Sequence, residues 1–248
     1  MNRLKFRQNF ASGAPVVTPV IHVLDVRQAL ANLDIVAAAG CPGAFLINHD
    51  FPRDAFLPIL EQVRAARPDI WLGVNFLGEP GTVAFPILAE LARGGCRIDA
   101  YWADDARIDE SARHQAEAEE MAGIRAGSGW SGLYFGGVAF KKQRPVAKAD
   151  YRRAAERAAP FMDVVTTSGI ATGQEADLAK IEAFRKALGT APLALASGIT
   201  PDNADRYCGL VDVFLVATGI NRTGDFYNID PARLDALLTV TRSYGENA

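Results

Sequence analysis

The sequence predicts a single (β/α)8 barrel over residues 1–248, and three observations carry that prediction. Apolar runs of strand length alternate with helix-patterned segments eight times. The runs are hydrophobic almost without interruption, as parallel strands covered on both faces are. The chain has 248 residues, close to the ~250 that such a barrel takes. An open doubly wound sheet is the alternative. It usually has fewer strands, and its glycine fingerprint is missing after the first strand here. Barrel closure also removes the sheet edges.

The first strand is placed at residues 20–24, ending at Asp25. The second runs over 44–47 and ends at Asn48, His49 and Asp50. The third runs over 70–74 and ends at Asn75, and the fourth over 98–102, ending at Asp104. The fifth covers 133–138 and ends near Lys141. The last three begin at Asp163, Leu193 and Val213, and each ends in small hydroxyl residues and glycine. Between strands, Phe56, Ile59, Leu60 and Val63 recur at helical spacing, as do Ala84, Ile87, Leu88 and Leu91, and Leu234, Leu237, Leu238 and Thr241. Thr200-Pro201 and Asp230-Pro231 each place a capping residue before a proline, a helix-start signal. Pro42-Gly43, Pro68, Gly94-Gly95 and Pro192 punctuate the patterns just before strands. The Gly/Ser cluster at 127–132 is too short for an interdomain linker and is expected at the bottom of the fold.

Hydrophobic residues make up 49% and charged residues 22%, which fits one large core. The net charge of −3 leaves no basic excess for nucleic acid. Cys41, Cys96 and Cys208 form no metal or redox spacing and are expected to be buried free thiols. No apolar stretch follows the charged N-terminus, and none approaches the ~20 residues that span a bilayer. No signal peptide and no transmembrane segment are therefore expected, and the cytoplasm is the expected location.

In a barrel of this kind chemistry sits where strands end and βα loops begin. Ser197-Gly198 and Thr218-Gly219 end the seventh and eighth strands, the usual phosphate place. Glycine permits close approach to backbone, and helix N-termini favour anions. Thr166, Ser168 and Thr172 extend this hydroxyl-rich edge, and Asn75 faces it from the third strand. These eight residues are the expected substrate-binding set. The alternative is that Ser-Gly and Thr-Gly only make tight turns. His22, Asp25, Asn48 and Asp50 are the expected catalytic set, with His22 as acid or base and a carboxylate to orient it. The bland alternatives are a core histidine and a helix-capping aspartate. Lys141 and Lys142 could meet a substrate anion or form a Schiff base, but an exposed basic loop is the more ordinary reading. No cofactor is expected. The weaker reading is a divalent cation held by Asp25, Asp50, Asp104 and Asp105.

The stretches beginning at Thr166, Ala196 and Val216, together with residues 224–234, resemble the BtpA/SgcQ family. Residues 20–24, 44–51, 72–77 and 133–141 fit the family more loosely. The resemblance implies a TIM barrel related to the ribulose-phosphate-binding barrels. The family is named for a factor in photosystem I accumulation, and some members are labelled nucleosidases. The chain departs from the family's Leu-Pro-Gly loop after His22, from its Arg-Asn-Asp after the third strand, and from its Lys-His pair after the fifth, where Lys141-Lys142 stands.

Two functions follow as expectations. The first is an enzyme acting on a small phosphorylated sugar or nucleoside-like compound by isomerase, lyase or nucleosidase chemistry. The second is a non-catalytic metabolite-binding or complex-assembly factor. Flavin or nicotinamide oxidoreduction ranks third, since nothing marks a flavin ring site. Either way the expected partner is a small anionic or phosphorylated ligand. A homo-oligomer is allowed, with Trp71, Trp102, Trp130, Phe226 and Tyr227 as interface residues, although core placement is the more ordinary reading.

Overall fold

The computed structural model describes residues 1–171 and 173–246. Eight parallel strands close into a barrel in sequence order: β1 (Val16–His22), β2 (Gly43–Ile47), β3 (Trp71–Asn75), β4 (Ala100–Ala103), β5 (Leu133–Gly137), β6 (Val164–Ser168), β7 (Leu193–Ala196) and β8 (Val213–Val216). The seam is made by β1 and β8, with Val17 beside Phe214 and Pro19 beside Val216. Helices α2 (Val26–Ala38), α3 (Arg53–Ala66), α4 (Gly81–Arg93), α5 (Ala116–Ser128), α6 (Tyr151–Ala158), α7 (Leu178–Leu188), α8 (Asp205–Cys208) and α9 (Pro231–Glu246) form the outer ring, after a first helix α1 (Arg3–Asn9) that precedes β1. The (β/α)8 barrel is thus the architecture.

Alternation along each strand sorts the core into two layers. Outward residues such as Leu46, Leu72, Leu195 and Phe214 pack under the helices. Inward residues such as Val20, Phe45, Trp102, Phe135 and Leu215 fill the barrel. Phe45 is the hub of the interior, with Trp71, Trp102 and Phe135 edge-on at 5.3, 5.9 and 5.2 Å. Gly73 makes the room, because a Cβ there would lie 2.4 Å from the Phe45 ring. Trp102 and Trp130 are core residues, and the three cysteines are buried and free. Burial pushes the Cys41 thiol up to about 12 and those of Cys96 and Cys208 to about 11, so they are inert thiols. Among the described residues, no helix is long and apolar enough to cross a membrane.

Three features differ from the sequence reading. The first strand begins earlier, at Val16, and ends at His22, so Asp25 is the N-cap of α2 and accepts from Gln28 N at 2.7 Å. Thr200-Pro201 opens a turn rather than a helix, and helical geometry waits until Asp205. Asn203 ties this turn to the strand end, its Oδ1 accepting from Thr200 N (2.9 Å) and its Nδ2 donating to Gly198 O (2.8 Å). The expected helix dipole behind the seventh strand is therefore reduced to the single turn of α8.

The third feature, α1, was not foreseen. It closes the bottom of the barrel. Its Phe6 is buried beside Phe10 and Phe135. Arg3 and Arg7 reach Asp212 at 2.8 and 3.2 Å, and Arg185 approaches the same carboxylate at 3.2 Å. Asp212 also accepts from Leu193 N at 3.0 Å. Removing a fully buried carboxylate strands its cationic partners, a loss of about 3–5 kcal/mol. Asp212→Ala is expected to lower unfolding free energy by that amount in urea titration, whereas Asp235→Ala on the exposed face of α9 changes it by less than about 0.5 kcal/mol.

Candidate active site

The C-terminal ends of the strands and the loops that follow enclose a cavity of about 90 Å³. It is lined by His22 and His49 on one side, by Asp104, Lys141 and Lys142 on another, and by the loops after β7 and β8. Val20, Ile47, Trp102 and Leu215 form its floor, apolar except for the Trp102 indole N–H. A larger cleft of about 620 Å³ lies at the other end of the barrel, around Phe10, Trp71 and Trp130. Its one carboxylate is already committed, with Asp99 held by Arg97 at 2.9 Å and by Arg64 at 2.8 Å. Reactive groups therefore gather at the top.

Ser197, Gly198, Thr218 and Gly219, expected to hold an anion, all line the upper cavity. Ser197 and Gly198 both have φ of +72°. For a serine this left-handed backbone is uncommon and strained. Gly198 cannot carry a side chain, because a Cβ would lie 2.0 Å from Gln174 O in the loop after β6. A Cβ on Gly219 would lie 1.8 Å from Ile199 O. The two glycines thus let three consecutive loops lie backbone against backbone, and the site is built on that stack. Lys141 adds the cation that sequence reasoning gave little weight. Its Nζ donates to Ser197 Oγ at 2.9 Å, and its backbone N donates to Ser168 Oγ at 2.8 Å. Burial, opposed by Asp104, lowers the Lys141 pKa from its usual value. The neighbouring Lys180, missed in the sequence, positions this corner: its Nζ donates to Ala139 O (2.6 Å) and Ser168 O (2.7 Å), tying the β5 loop to the end of β6.

His22 is buried at the end of β1, and its ring stacks on Phe226 with centroids 3.8 Å apart. Phe226 belongs to the loop between β8 and α9, which crosses the top of the barrel as a strap. The strap is knitted by Asn221 Nδ2 donating to Phe226 O and by Arg222 N donating to Asn228 O. Gln28 and Asn32 of α2 hold it by donating to Tyr227 O at 2.7 and 3.1 Å. Asp50 belongs to this assembly: it accepts from the Tyr227 hydroxyl at 2.9 Å and lies 3.3 Å from His49 Nδ1. The Tyr227 hydroxyl, then His49, hold the Asp50 carboxyl below its ordinary pKa. His22 moves further. Burial first, then His49 and Lys141, lower it from 6.5 to about 4. The imidazole is therefore neutral at neutral pH and able to accept a proton.

The remaining expected site residues separate. Asn75 Nδ2 donates to Asp104 Oδ1 at 3.0 Å, and burial raises the Asp104 pKa against that bond. Thr166 is fully buried on β6. Asn48 is structural, donating to Phe51 O (2.9 Å) and accepting from Leu77 N (3.1 Å). Asp25 caps α2 and is not part of the cavity wall. Thr172 lies outside the described residues. The four aspartates considered for a cation have separate partners, Asp105 accepting from Arg107 N at 2.8 Å. Among the described residues no group of three or more His, Cys, Asp or Glu is placed to hold a metal.

The BtpA family model matches residues 62–243. The chain belongs to the BtpA family. No curated protein matches the chain. Solved structures of the same fold include the tryptophan synthase alpha chain of Legionella pneumophila, with a TM-score of 0.65 and 14% identity over 99% of both chains. They also include phosphoribosyl anthranilate isomerase of Thermus thermophilus, with a TM-score of 0.61 and 16% identity over 92% of this chain and 99% of that one. A third is a phosphoribosyl anthranilate isomerase in complex with reduced 1-(o-carboxyphenylamino)-1-deoxyribulose 5-phosphate, with a TM-score of 0.62 and 12% identity over 92% and 99%. At these identities the likeness is one of fold. In this BtpA-family barrel, His22, Lys141, Asp104 and the Ser197 and Thr218 turns share one cavity.

The shifted histidine sets a pH dependence. Unfolded His22 titrates near 6.5 and folded His22 near 4. Its stabilising contribution is complete above pH 6.5 and is lost as pH falls toward 4, an effect of about 3 kcal/mol. Urea unfolding at pH 7 and pH 4.5 is expected to show a smaller acid loss in His22→Gln than in the parent, by about 2–3 kcal/mol. Equal losses in both proteins would assign the acid limb to other groups.

Proposed function

We propose that this protein is an enzyme that holds the anionic end of a small phosphorylated sugar, or of a sugar-bearing nucleoside-like compound, and acts on the adjoining carbon chain by acid–base chemistry. One observation carries the reading. Lys141 Nζ meets Ser197 Oγ at 2.9 Å on the wall formed by Gly198, Thr218 and Gly219, and the same cavity is lined by His22 and Asp104. A cation and a hydroxyl beside two tight turns form an anion cradle. In the same cavity stand an imidazole kept neutral, which can take a proton, and a carboxyl whose pKa burial raises, which is the better able to hold one. Binding energy from the anion can hold the reacting carbons in place while that proton moves. The phosphoribosyl compounds named for neighbours of the same fold are consistent with this substrate class.

A binding role without catalysis has one observation in its favour. Phe226 covers His22, and the cavity of about 90 Å³ is smaller than the ~300–1,000 Å³ of ordinary ligand sites. On the catalytic reading the strap opens to admit substrate, as lids of many enzymes do.

The test is a turnover assay with a panel of sugar phosphates and nucleosides, run beside calorimetric titration with inorganic phosphate. Lys141→Met is expected to weaken phosphate binding about tenfold, the worth of one charge-assisted hydrogen bond. His22→Ala is expected to lower kcat at least about 100-fold with phosphate affinity retained. Thermal stabilisation by sugar phosphates without turnover would favour the binding role, and the absence of both binding and turnover would overturn the proposal.

A further inference from the structure

Buried polar atoms in folded proteins almost always find a partner, and each exception calls for an explanation. Among the described residues five buried side-chain atoms lack one: His22 Nδ1, Asn75 Oδ1, Trp102 Nε1, Thr166 Oγ1 and Thr167 Oγ1. Four of the five occupy inward positions of the barrel, on β1, β3, β4 and β6, whereas Thr167 alternates to the helix side. His22, Asn75, Trp102 and Thr166 are each less than a tenth exposed. His22 and Trp102 line the upper cavity directly, and Asn75 is bonded to Asp104, which lines it too. An unmade hydrogen bond on a buried group is costly to the fold, so their concentration under one cavity marks a place where a ligand completes the bonding.

We infer that the floor of the cavity is a hydroxyl-reading site, in which Trp102 Nε1, Asn75 Oδ1 and His22 Nδ1 bind the hydroxyl groups of a short polyhydroxylated chain whose anionic end sits at Lys141 and Ser197. This rests on the anion cradle proposed above and specifies what the rest of the ligand must be. The chemistry of the three atoms selects the class. An indole N–H can only donate. Asn75 has its amide N–H committed to Asp104, so its free Oδ1 can only accept. Neutral His22 can do either at Nδ1, according to tautomer. A carboxylate, which only accepts, would leave Asn75 unsatisfied, and an ammonium, which only donates, would leave Trp102 unsatisfied. Hydroxyl groups donate and accept at one oxygen and match the whole set. Thr166, behind the floor, is itself a hydroxyl of the same dual character. Sites built this way reject analogues that lack the hydroxyl, because the buried protein groups are then left unpaired.

The experiment compares three probes by calorimetry on the full chain: inorganic phosphate, propyl phosphate and ribose 5-phosphate. Ribose 5-phosphate is expected to bind at least about tenfold more tightly than propyl phosphate, the worth of two or more such bonds. Trp102→Phe keeps most of the ring volume and is expected to cut that preference to about threefold or less. A readout free of any variant is the indole N–H resonance of Trp102 in protein labelled with 15N-tryptophan, where only three indoles appear. That resonance is expected to move with ribose 5-phosphate and to stay in place with propyl phosphate. Equal affinity for propyl phosphate and ribose 5-phosphate, with a stationary Trp102 resonance, would overturn the hydroxyl-reading site and leave the anion cradle standing. Failure of all three probes to bind would overturn the cradle, and this inference with it.

Discussion

The top of this barrel depends on backbone lying against backbone. The loop after β6 touches the turn at Gly198, and the turn after β7 touches Gly219, at distances no side chain permits. That stacking brings Ser197 into its left-handed conformation beside Lys141. It also fixes where the cavity wall runs. A single methyl group at either glycine would have to displace a carbonyl oxygen, so the loops would part and the wall with them. The left-handed Ser197 stands directly beside the close contact at Gly198, and backbone strain of this kind persists where the surrounding structure fixes it.

The chemistry of the cavity follows from dryness rather than from any one strong partner. Burial is the largest influence on His22, Asp104 and Lys141 alike, and it moves all three toward their uncharged forms. Asp104 and Lys141 are thereby moved toward proton exchange, and His22 is kept as the neutral imidazole. The strap contributes to that dryness by laying Phe226 flat on the His22 ring. Its attachment to Gln28 and Asn32 binds the last βα loop to the first helix, across the seam where β8 meets β1.

The barrel was legible because its signals are local and repeated. Buried apolar runs such as residues 44–47 and 213–216 alternate with helices whose periodicity points to one face. The anion wall was legible in part. Ser197-Gly198 and Thr218-Gly219 announced tight turns, yet the glycines serve the packing of neighbouring loops, a contact between residues far apart that no spacing reveals. The Thr200-Pro201 signal marked a hydrogen-bonded turn, tied back to Gly198 by Asn203, and helical geometry begins only at Asp205. Lys141 looked like a member of an exposed basic loop until folding turned it inward to Ser197. Phe226 and Trp102 carried no polar signal at all. Asp25 and Asn48 bore the right residue types at strand ends and were taken up by capping and loop bonding instead.

The plug at the bottom of the barrel has a consequence for how the chain folds. Arg3 and Arg7 precede the first strand, and Asp212, their shared anchor, is separated from Arg3 by 209 residues. Helix α1 has only seven residues, too few to hold itself together in water. The helix therefore depends on Asp212 and on the barrel floor around Phe135 to hold it. Closing so long a span costs entropy that is offset only once the strands between have ordered, so α1 seats late in folding.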